Sequence, residues 1–410
     1  MKAAGPLLIT LLIQAFSALA LMAVPVLVPV APGTPRLSTA GIGLYVLLAY
    51  LGAVIGSLSA GPLVERLGAV RTSQIGLLLS ALGLALSAVI PAALFPTAMF
   101  PAALLVGLGY GPITPASSHI LIRTTPAQRL NLVFSIKQTG VPLGVALSGF
   151  CVPPLALASD WAVTLAVLAL ACVVIAAGAQ PIQRGLDAQT ASARAESWTA
   201  RRLWASFLAP LAVIWLHPGL RTLAAVSFVL SGMQIAFTSY LVTYLTSELA
   251  LTALVAGSLL GLSQTGGVIG RVVWGYLSDR LIHPLHMLAL VCTGVALAAF
   301  ATSTLASLHY VPPPLVLAAL MFFFGASVSG WNGVYLAEVA RQAPPGEAGK
   351  ATSGTLAVTF MGVIVGTPLF GLIATSSGGF SAAFGVHALL ALVLAGVLFR
   401  LGSRLRGGMK

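Results

Sequence analysis

The chain has 410 residues, of which 58% are hydrophobic and only 7% are charged, and its formal net charge is +12. An ordinary soluble domain is about 25% charged, so this composition excludes a soluble globule and makes lipid the solvent for most of the surface. The cations stand between apolar runs rather than in one patch, which argues against a nucleic-acid partner. The sequence has no His/Cys cluster with metal-ligand spacing, no phosphate-binding glycine loop and no nucleophile motif. We therefore expect no metal, no other cofactor and no enzymatic activity.

Twelve apolar runs divide the chain, and each is long enough to cross a hydrocarbon core of ~30 Å. Backbone groups cannot stay unpaired in lipid, and no run alternates in the manner of a barrel strand, so we predict an all-α membrane protein. The first run continues to Val30, which favours a membrane helix over a cleaved signal peptide. The predicted spans cover residues 5–30, 41–63, 73–91, 98–122, 131–152, 161–180, 220–246, 252–274, 286–305, 313–338, 350–374 and 381–403.

One long hydrophilic stretch, residues 181–218, separates six predicted helices from the other six. The sequence therefore predicts an N-terminal six-helix bundle over residues 1–180, a cytoplasmic connector over 181–218 and a C-terminal six-helix bundle over 219–410. Within the connector, the segment Trp198–Trp204 is either an amphipathic stretch on the inner leaflet or a solvated linker.

Two short phrases occur twice, each about half a chain apart. Gly61–Leu67 (GPLVERL) returns 214 positions later as Gly275–Leu281 (GYLSDRL), and Gly140–Leu143 (GVPL) returns 226 positions later as Gly366–Leu369 (GTPL). Two echoes in the same order indicate that the protein contains two copies of one unit. Internal duplication of apolar helices is typical of membrane transporters.

Lys and Arg residues predict the orientation of the chain, because cytoplasmic loops carry an excess of these cations. If both termini lie in the cytoplasm, Arg36 is the one Lys or Arg residue in the predicted outer loops. We therefore expect a multi-pass protein of the cell inner membrane with cytoplasmic termini. The inner loops and the termini then hold Lys2, Arg66, Arg71, Arg123, Arg129, Arg280, Arg341, Lys350, Arg400, Arg404, Arg406 and Lys410.

Six plus six helices, together with the pattern Gly-x-x-x-[Asp/Glu]-Arg-x-Gly after the second helix, resemble the major facilitator superfamily over essentially the whole chain. This sequence has Glu65 where the family pattern usually has Asp, and Thr72 where a second basic residue is usual. The resemblance implies two pseudo-symmetric bundles and a conformational latch that pairs an acid with an arginine at the cytoplasmic side. The alternative is a charged loop that only fixes topology. The latch residues would be Gly61, Glu65, Arg66 and Arg71, with Gly275, Asp279 and Arg280 in the second copy.

Ionisable residues inside the membrane are costly, so they are the first candidates for substrate binding. Lys137, beside Gln138, stands ~10 Å into the fifth predicted helix, where it requires an anion unless it snorkels to the headgroups. Arg271 lies in a phrase that resembles the eighth helix of monocarboxylate and oxalate–formate carriers, which implies that it binds a substrate carboxylate. The alternative for Arg271 is a structural pair with Glu338 or with a helix C-terminus.

Other polar residues inside the predicted helices are further candidates. They either contact the substrate or hold neighbouring helices together. Glu338 and His119 are candidates for proton coupling, although a second latch for Glu338 and a structural role for His119 are open alternatives. The remaining substrate candidates are Gln14, Gln234, Tyr240, Gln264, Asn332 and Tyr335.

These observations favour a secondary transporter that moves a small organic anion, such as a monocarboxylate, by alternating access. Proton symport and anion exchange both satisfy the energetics, since an anion entering an inside-negative cell needs a driving partner. The alternative is a proton-driven exporter of hydrophobic drugs or metabolites, in which Glu338 would carry the proton. A non-transporting receptor is a third class, which the retained polar residues disfavour. The expected partners are the solute, protons and the lipid bilayer, and the expected state is a monomer.

Overall fold

The computed structural model describes residues 4–30, 38–90, 95–124, 133, 136–187, 211–308, 310–344 and 348–407. In this part of the chain the secondary structure is α-helical, without a β-strand. Two compact units are present, Met1–Trp198 and Thr199–Lys410. Twelve stretches are long and apolar enough to cross a membrane, which confirms the predicted number of spans and the all-α fold. The segment Trp198–Trp204 lies outside the described residues.

The first unit contains six spans. Its helices are α1 (Ala4–Leu27), α2 (Thr39–Leu67), α3 (Ala69–Val89), α4 (Phe95–Tyr110), α5 (Ile113–Thr124), α6 (Gly140–Ala158), α7 (Trp161–Gly178) and α8 (Gln180–Asp187). Helices α4 and α5 together form the fourth span, and the fifth span begins at Ile136, shortly before α6. The short helix α8 follows the sixth span, inside the stretch that the sequence predicts as a connector.

The second unit repeats this arrangement. Its helices are α9 (Pro218–Ser247), α10 (Ala253–Arg280), α11 (Pro284–Leu308), α12 (Pro314–Val328), α13 (Asn332–Gln342), α14 (Ala348–Ser376) and α15 (Phe380–Gly407). Helices α12 and α13 together form the tenth span, so the fourth span of each unit is built from two helices.

The helix pairings are the same in both units. In the first unit α1 packs on α6, α2 on α4 and α3 on α7; in the second unit α9 packs on α14, α10 on α12 and α11 on α15. The pairs occupy equivalent places in the order of spans, so the duplication seen in the sequence is a duplication of packing. Small residues allow these contacts: Gly107 lies against the Ala49 carbonyl, and Gly325 against the Ser263 carbonyl.

Each charged phrase of the repeated motif ends a helix instead of forming a loop. Helix α2 continues to Leu67 and α10 to Arg280, so both phrases lie in the last turns of their helices. Gly68 then ends α2 with a φ of 93°, a conformation that favours glycine. A Cβ at this position would overlap the carboxylate carbon of Asp187, from α8. The motif thus contacts the start of the connector through a glycine.

Candidate functional site

In the first unit the fourth span is interrupted at Gly111 and Pro112, between α4 and α5. Pro112 has no backbone N–H to continue the helical ladder. Thr114 follows the break, and its hydroxyl donates a hydrogen bond of 3.0 Å to Oε1 of Gln14, from α1. Gln14 is fully buried, and its amide nitrogen Nε2 has no partner among the described residues. The break therefore carries a hydroxyl that orients a buried amide.

Lys137 precedes α6 by one turn and is only 1% exposed. Its ammonium nitrogen Nζ has no hydrogen-bond partner within the described part of the chain. The side chain is buried in the protein, so snorkelling to the membrane surface, the alternative reading of this residue, does not describe it. The adjacent Gln138 is half-buried.

Gly140 brings the fifth span against Gln14. A Cβ at Gly140 would lie 2.9 Å from Cβ of Gln14, so a side chain there would displace α1. Lys137 and Gly140 are three residues apart and belong to the same side of their helix. The first unit therefore combines a buried lysine and a buried glutamine amide on adjoining helices, and both present hydrogen-bond donors.

The carboxylates whose side chains are described bind groups other than Lys137. Asp160 accepts from the backbone N–H of Val163 at the start of α7, and Asp187 accepts from the N–H groups of Val70 and Arg71 at the start of α3. Such contacts satisfy orphan helix donors and match the positive end of the helix dipole. In the second unit, Glu248 binds the N–H of Phe380 at the start of α15, and Glu338 binds Arg341 and Gln342. Each of these acids is engaged without Lys137.

In the second unit the tenth span is interrupted at residues 329–331. Gln234, from α9, accepts hydrogen bonds at this break from the indole of Trp331 at 3.0 Å and from the amide of Asn332 at 3.2 Å. Two candidate substrate residues, Gln234 and Asn332, are thus hydrogen-bonded to each other, and Trp331 donates to the same Gln234 oxygen. The Gly111 break of the first unit corresponds to the Gly330 break here, 219 positions later.

Arg271 binds the carbonyl at the same break. Its Nε donates a hydrogen bond to the Ser329 carbonyl oxygen at 3.0 Å. Because the helix ends here, this carbonyl has no partner within the helix, and Arg271 supplies one. One turn further along α10, the indole of Trp274 donates to the Ala326 carbonyl at 2.8 Å. Arg271 therefore has the contact with a helix C-terminus that was the second structural alternative, since Ser329 is the C-cap residue of α12.

Three further candidates are buried within the second unit. Gln264 donates to the Thr238 hydroxyl at 3.4 Å and so joins α10 to α9. Tyr240 stacks on Phe370 with ring centroids 5.2 Å apart, in an aromatic core. Tyr335 packs edge-on against Trp331 at 5.1 Å. Packing accounts for the position of each of these side chains.

The two proton-coupling candidates stand in different environments. Glu338 is 3% exposed, pairs with Arg341 at 3.1 Å and accepts a hydrogen bond from Gln342 at 2.6 Å. His119 is exposed on α5. Corresponding positions in the repeat therefore carry a buried carboxylate in one unit and an exposed imidazole in the other.

The side chains of the latch candidates lie in different environments. Arg66 is exposed in the last turn of α2, Arg71 donates to Gln74 at 3.3 Å, and the Arg280 guanidinium lies 5.7 Å from the Tyr276 ring centroid. Gly61 and Gly275 lie within helices α2 and α10. The side chains of Glu65 and Asp279 are outside the described part of the structure.

Three residues of interest were missed in the sequence: Thr114, Asp187 and His387. Thr114 follows a Gly-Pro step that could have indicated a helix break. Asp187 lies in a polar stretch with no local sign of its target, which is 116 residues away. His387 is an ionisable residue well inside an apolar span, and that position was an available signal.

The family model described as Major Facilitator Superfamily matches residues 10–353 of this chain. The chain is also similar to the "Probable nitrate/nitrite transporter NarK2" of two strains of Mycobacterium tuberculosis, with 36% identity over 122 residues. That match covers 30% of this chain and 29% of the length of the relative.

Solved structures share the fold at low sequence identity. A peptide transporter POT in complex with sulfate has a TM-score of 0.75 and 18% identity, and the match covers 98% of this chain and 94% of that one. The xylose transporter XylE from E. coli has a TM-score of 0.69 and 15% identity, with 96% of both chains covered. A variant of the nucleoside transporter NupG has a TM-score of 0.72 and 15% identity over 97% of this chain and 99% of that one.

Proposed function

Because this chain belongs to the Major Facilitator Superfamily, we propose that it is a secondary transporter of small anions, with organic anions such as monocarboxylates as the leading substrate class. The family makes it a multi-pass membrane protein that carries small solutes and is not an enzyme. We further propose that it lies in the inner membrane with both termini in the cytoplasm, and that it works as a monomer by alternating access.

The buried ammonium of Lys137 carries this proposal. It is 1% exposed and lacks a hydrogen-bond partner among the described residues. Lys137 lies near the start of the fifth span, Ile136–Ala158, and an unpaired buried charge is costlier than a paired one. A substrate anion would supply both the missing acceptor and the missing countercharge.

The free amide nitrogen of Gln14 supports the same substrate class. Thr114 occupies the oxygen of this amide, so the end left for a ligand is a donor. An ammonium and an amide N–H bind acceptors and offer none themselves. A carboxylate, whose oxygens only accept, satisfies both groups. In the second unit, Arg271, Asn332 and Gln234 remain candidates for contact with the substrate.

Nitrate or nitrite is a second candidate substrate. The similarity to the NarK2 relatives favours it, although the matched region is less than a third of either chain. Nitrate resembles a carboxylate in being planar, singly charged and rich in acceptor oxygens, so the donors of Lys137 and Gln14 fit either ion. The choice between them is a question for measurement.

We propose protons as the coupling ion and Glu338 as the residue that carries them. Moving an anion into an inside-negative cell costs ~2.3 kcal/mol per charge for each 100 mV, so uptake requires a driving partner. Glu338 is the buried carboxylate of the described tenth span. Exchange against a second anion is the alternative that needs no proton.

The experiment is a counterflow assay with the full chain in proteoliposomes. Vesicles are loaded in turn with formate, lactate, nitrate, nitrite, glucose or tetraphenylphosphonium, and exchange of the labelled solute is measured. We expect exchange of the carboxylates, its loss in Lys137→Met, and its retention in Arg221→Met, which removes one exposed cation. Exchange of nitrate and nitrite alone would replace the substrate class with the second candidate. Export of the lipophilic cation by wild type and Lys137→Met alike would establish the exporter instead.

A further inference from the structure

The second unit contains a cavity that none of the substrate candidates lines. It has a volume of about 110 Å³ and lies between α9, α14 and α15. Glycines form part of its wall: a Cβ at Gly366 would lie 2.7 Å from Cα of Gly232, so these two helices meet backbone to backbone. The missing side chains leave the hollow beside this crossing.

The cavity opens toward the bilayer. Val365, Leu369 and Leu390 line it, and they are 46%, 49% and 44% exposed. All three belong to membrane spans, where exposed aliphatic side chains are solvated by lipid tails. A molecule dissolved in the bilayer can therefore reach the cavity without passing through water.

His387 is the ionisable residue of the lining. It is 6% exposed, and its ring lies 4.7 Å from that of Phe370. Its contact with the described residues is this ring packing against Phe370, and none of those residues forms a hydrogen bond with the imidazole. Its position is seven residues after the start of α15, or ~10 Å along the helix axis.

We propose that this cavity binds, from the bilayer, a neutral amphiphile whose single uncharged hydrogen-bonding group meets His387 and whose alkyl chain fills the apolar hollow. The lining contains neither Lys nor Arg, so it does not suit a phosphate headgroup. The volume is smaller than the ~150 Å³ apolar cavity that holds one benzene molecule, so it takes a segment of a chain. A small-residue crossing with one polar group is thus a site for a lipid-soluble ligand, independent of the transported anion.

The test uses the full chain in lipid nanodiscs and two photoactivatable probes, an eight-carbon alcohol and the matching alkane without the hydroxyl, each with a diazirine. Labelled peptides are mapped by mass spectrometry, and unlabelled octanol serves as the competitor. The variants are His387→Phe, which removes the hydrogen-bonding group, and Val386→Trp, which fills the cavity. His283→Phe is the matched control, since it replaces a histidine that does not line the cavity.

We expect the alcohol to label peptides containing Val365, Leu369 and Leu390 in preference to other lipid-exposed surfaces. His387→Phe should weaken labelling by the alcohol about three- to tenfold, the size of one hydrogen bond, while labelling by the alkane persists and shows that the variant is folded. Val386→Trp should abolish both, and His283→Phe neither. The proposal is wrong if alcohol and alkane label wild type equally, or if labelling is spread evenly over exposed spans. Transport plays no part in these readouts, so failure here leaves the proposed function untouched.

Discussion

The hydroxyl of Thr114 donates a hydrogen bond to Oε1 of Gln14 at 3.0 Å, and this contact fixes the orientation of the glutamine amide. The nitrogen Nε2 is left buried and unpartnered among the described residues, as is Nζ of Lys137. The two free groups are donors. A residue from the interrupted fourth span thus determines the polarity of a group on the first span.

Replacing Thr114 with Val should weaken anion binding without unfolding the protein. The valine keeps the shape of the side chain and removes the donor, so the amide of Gln14 can turn its oxygen toward the ligand. We expect a loss of affinity of about fivefold, equivalent to ~1 kcal/mol, measured by calorimetric titration of the purified protein. Thr114→Ser retains the hydroxyl and should bind as wild type does. Equal weakening in both variants would show that the hydroxyl does not orient the amide.

Lys137→Met should abolish stabilisation by ligand while leaving the free protein at least as stable as wild type. The change removes a buried charge without a partner, and apolar replacements of buried charges are often neutral or stabilising. In wild type, an anion at 100 times its dissociation constant should add ~2.7 kcal/mol to the free energy of unfolding. Thermal unfolding with and without the anion measures both effects. A variant that is strongly destabilised without ligand would indicate that Lys137 is half of a structural ion pair.

Arg271→Gln should destabilise the second unit even without substrate. Its hydrogen bond to the Ser329 carbonyl is charge-assisted, and losing such a bond costs ~1.5–3 kcal/mol. Trp274→Phe, which removes a neutral bond to the Ala326 carbonyl, should cost less, ~0.5–1.5 kcal/mol. Denaturant unfolding in detergent compares the two variants. If Arg271→Gln changed the response to ligand but not stability, the residue would serve the ligand rather than the break.

Gly68 and Asp187 should show strong coupling in a double-mutant cycle. Gly68→Ala places a Cβ on the Asp187 carboxylate and imposes a φ of 93° on alanine, which costs ~1–3 kcal/mol for the backbone alone. Asp187→Ala removes a helix cap, at ~0.5–2 kcal/mol. The double variant should lose less than the sum, because the overlap disappears with the carboxylate. Additive losses in free energy of unfolding would show that the contact is unimportant.

Glu338→Gln should separate proton coupling from binding. The amide keeps a hydrogen-bonding group beside Gln342 but cannot carry a proton or pair with Arg341. We expect anion accumulation driven by a pH gradient to be lost and anion counterflow to persist. Arg341→Gln, which removes the pair but leaves the carboxylate, is the control and should accumulate anion. Accumulation by Glu338→Gln at the wild-type level would exclude this residue as the proton carrier.

Several features of the fold were predictable because they depend on local composition. The span Trp161–Gly178 is recognised from its high content of apolar residues and its lack of charged ones. The phrases Gly61–Leu67 and Gly275–Leu281 indicated the duplication, and the same helix pairs occur in both units of the structure. The helix ends were less predictable: α2 continues past its apolar run to Leu67, since a helix can leave the hydrocarbon and end where a glycine permits it.

The candidate site was predictable only as a set of residue types. Lys137, Gln14 and Arg271 stood out because polar groups are rare in apolar helices, but Tyr240 did so as well, and its ring belongs to an aromatic core. The sequence offered Glu338 or a helix C-terminus as a partner for Arg271. The structure gives Arg271 the carbonyl of Ser329 at the C-terminus of α12, and Glu338 pairs with the neighbouring Arg341. Side-chain chemistry alone did not decide between these two partners.

By itself, then, the sequence determined the membrane environment, the twelve spans and the internal repeat, because hydropathy and backbone hydrogen bonding act within a single stretch of chain. The tertiary structure decided which polar side chains meet. Gln14 and Thr114 are 100 residues apart, Asp187 and Val70 are 117 apart, and Arg271 and Ser329 are 58 apart. Such contacts depend on how each helix is rotated and where it crosses its neighbour, and close packing of many small residues along the whole helix sets both.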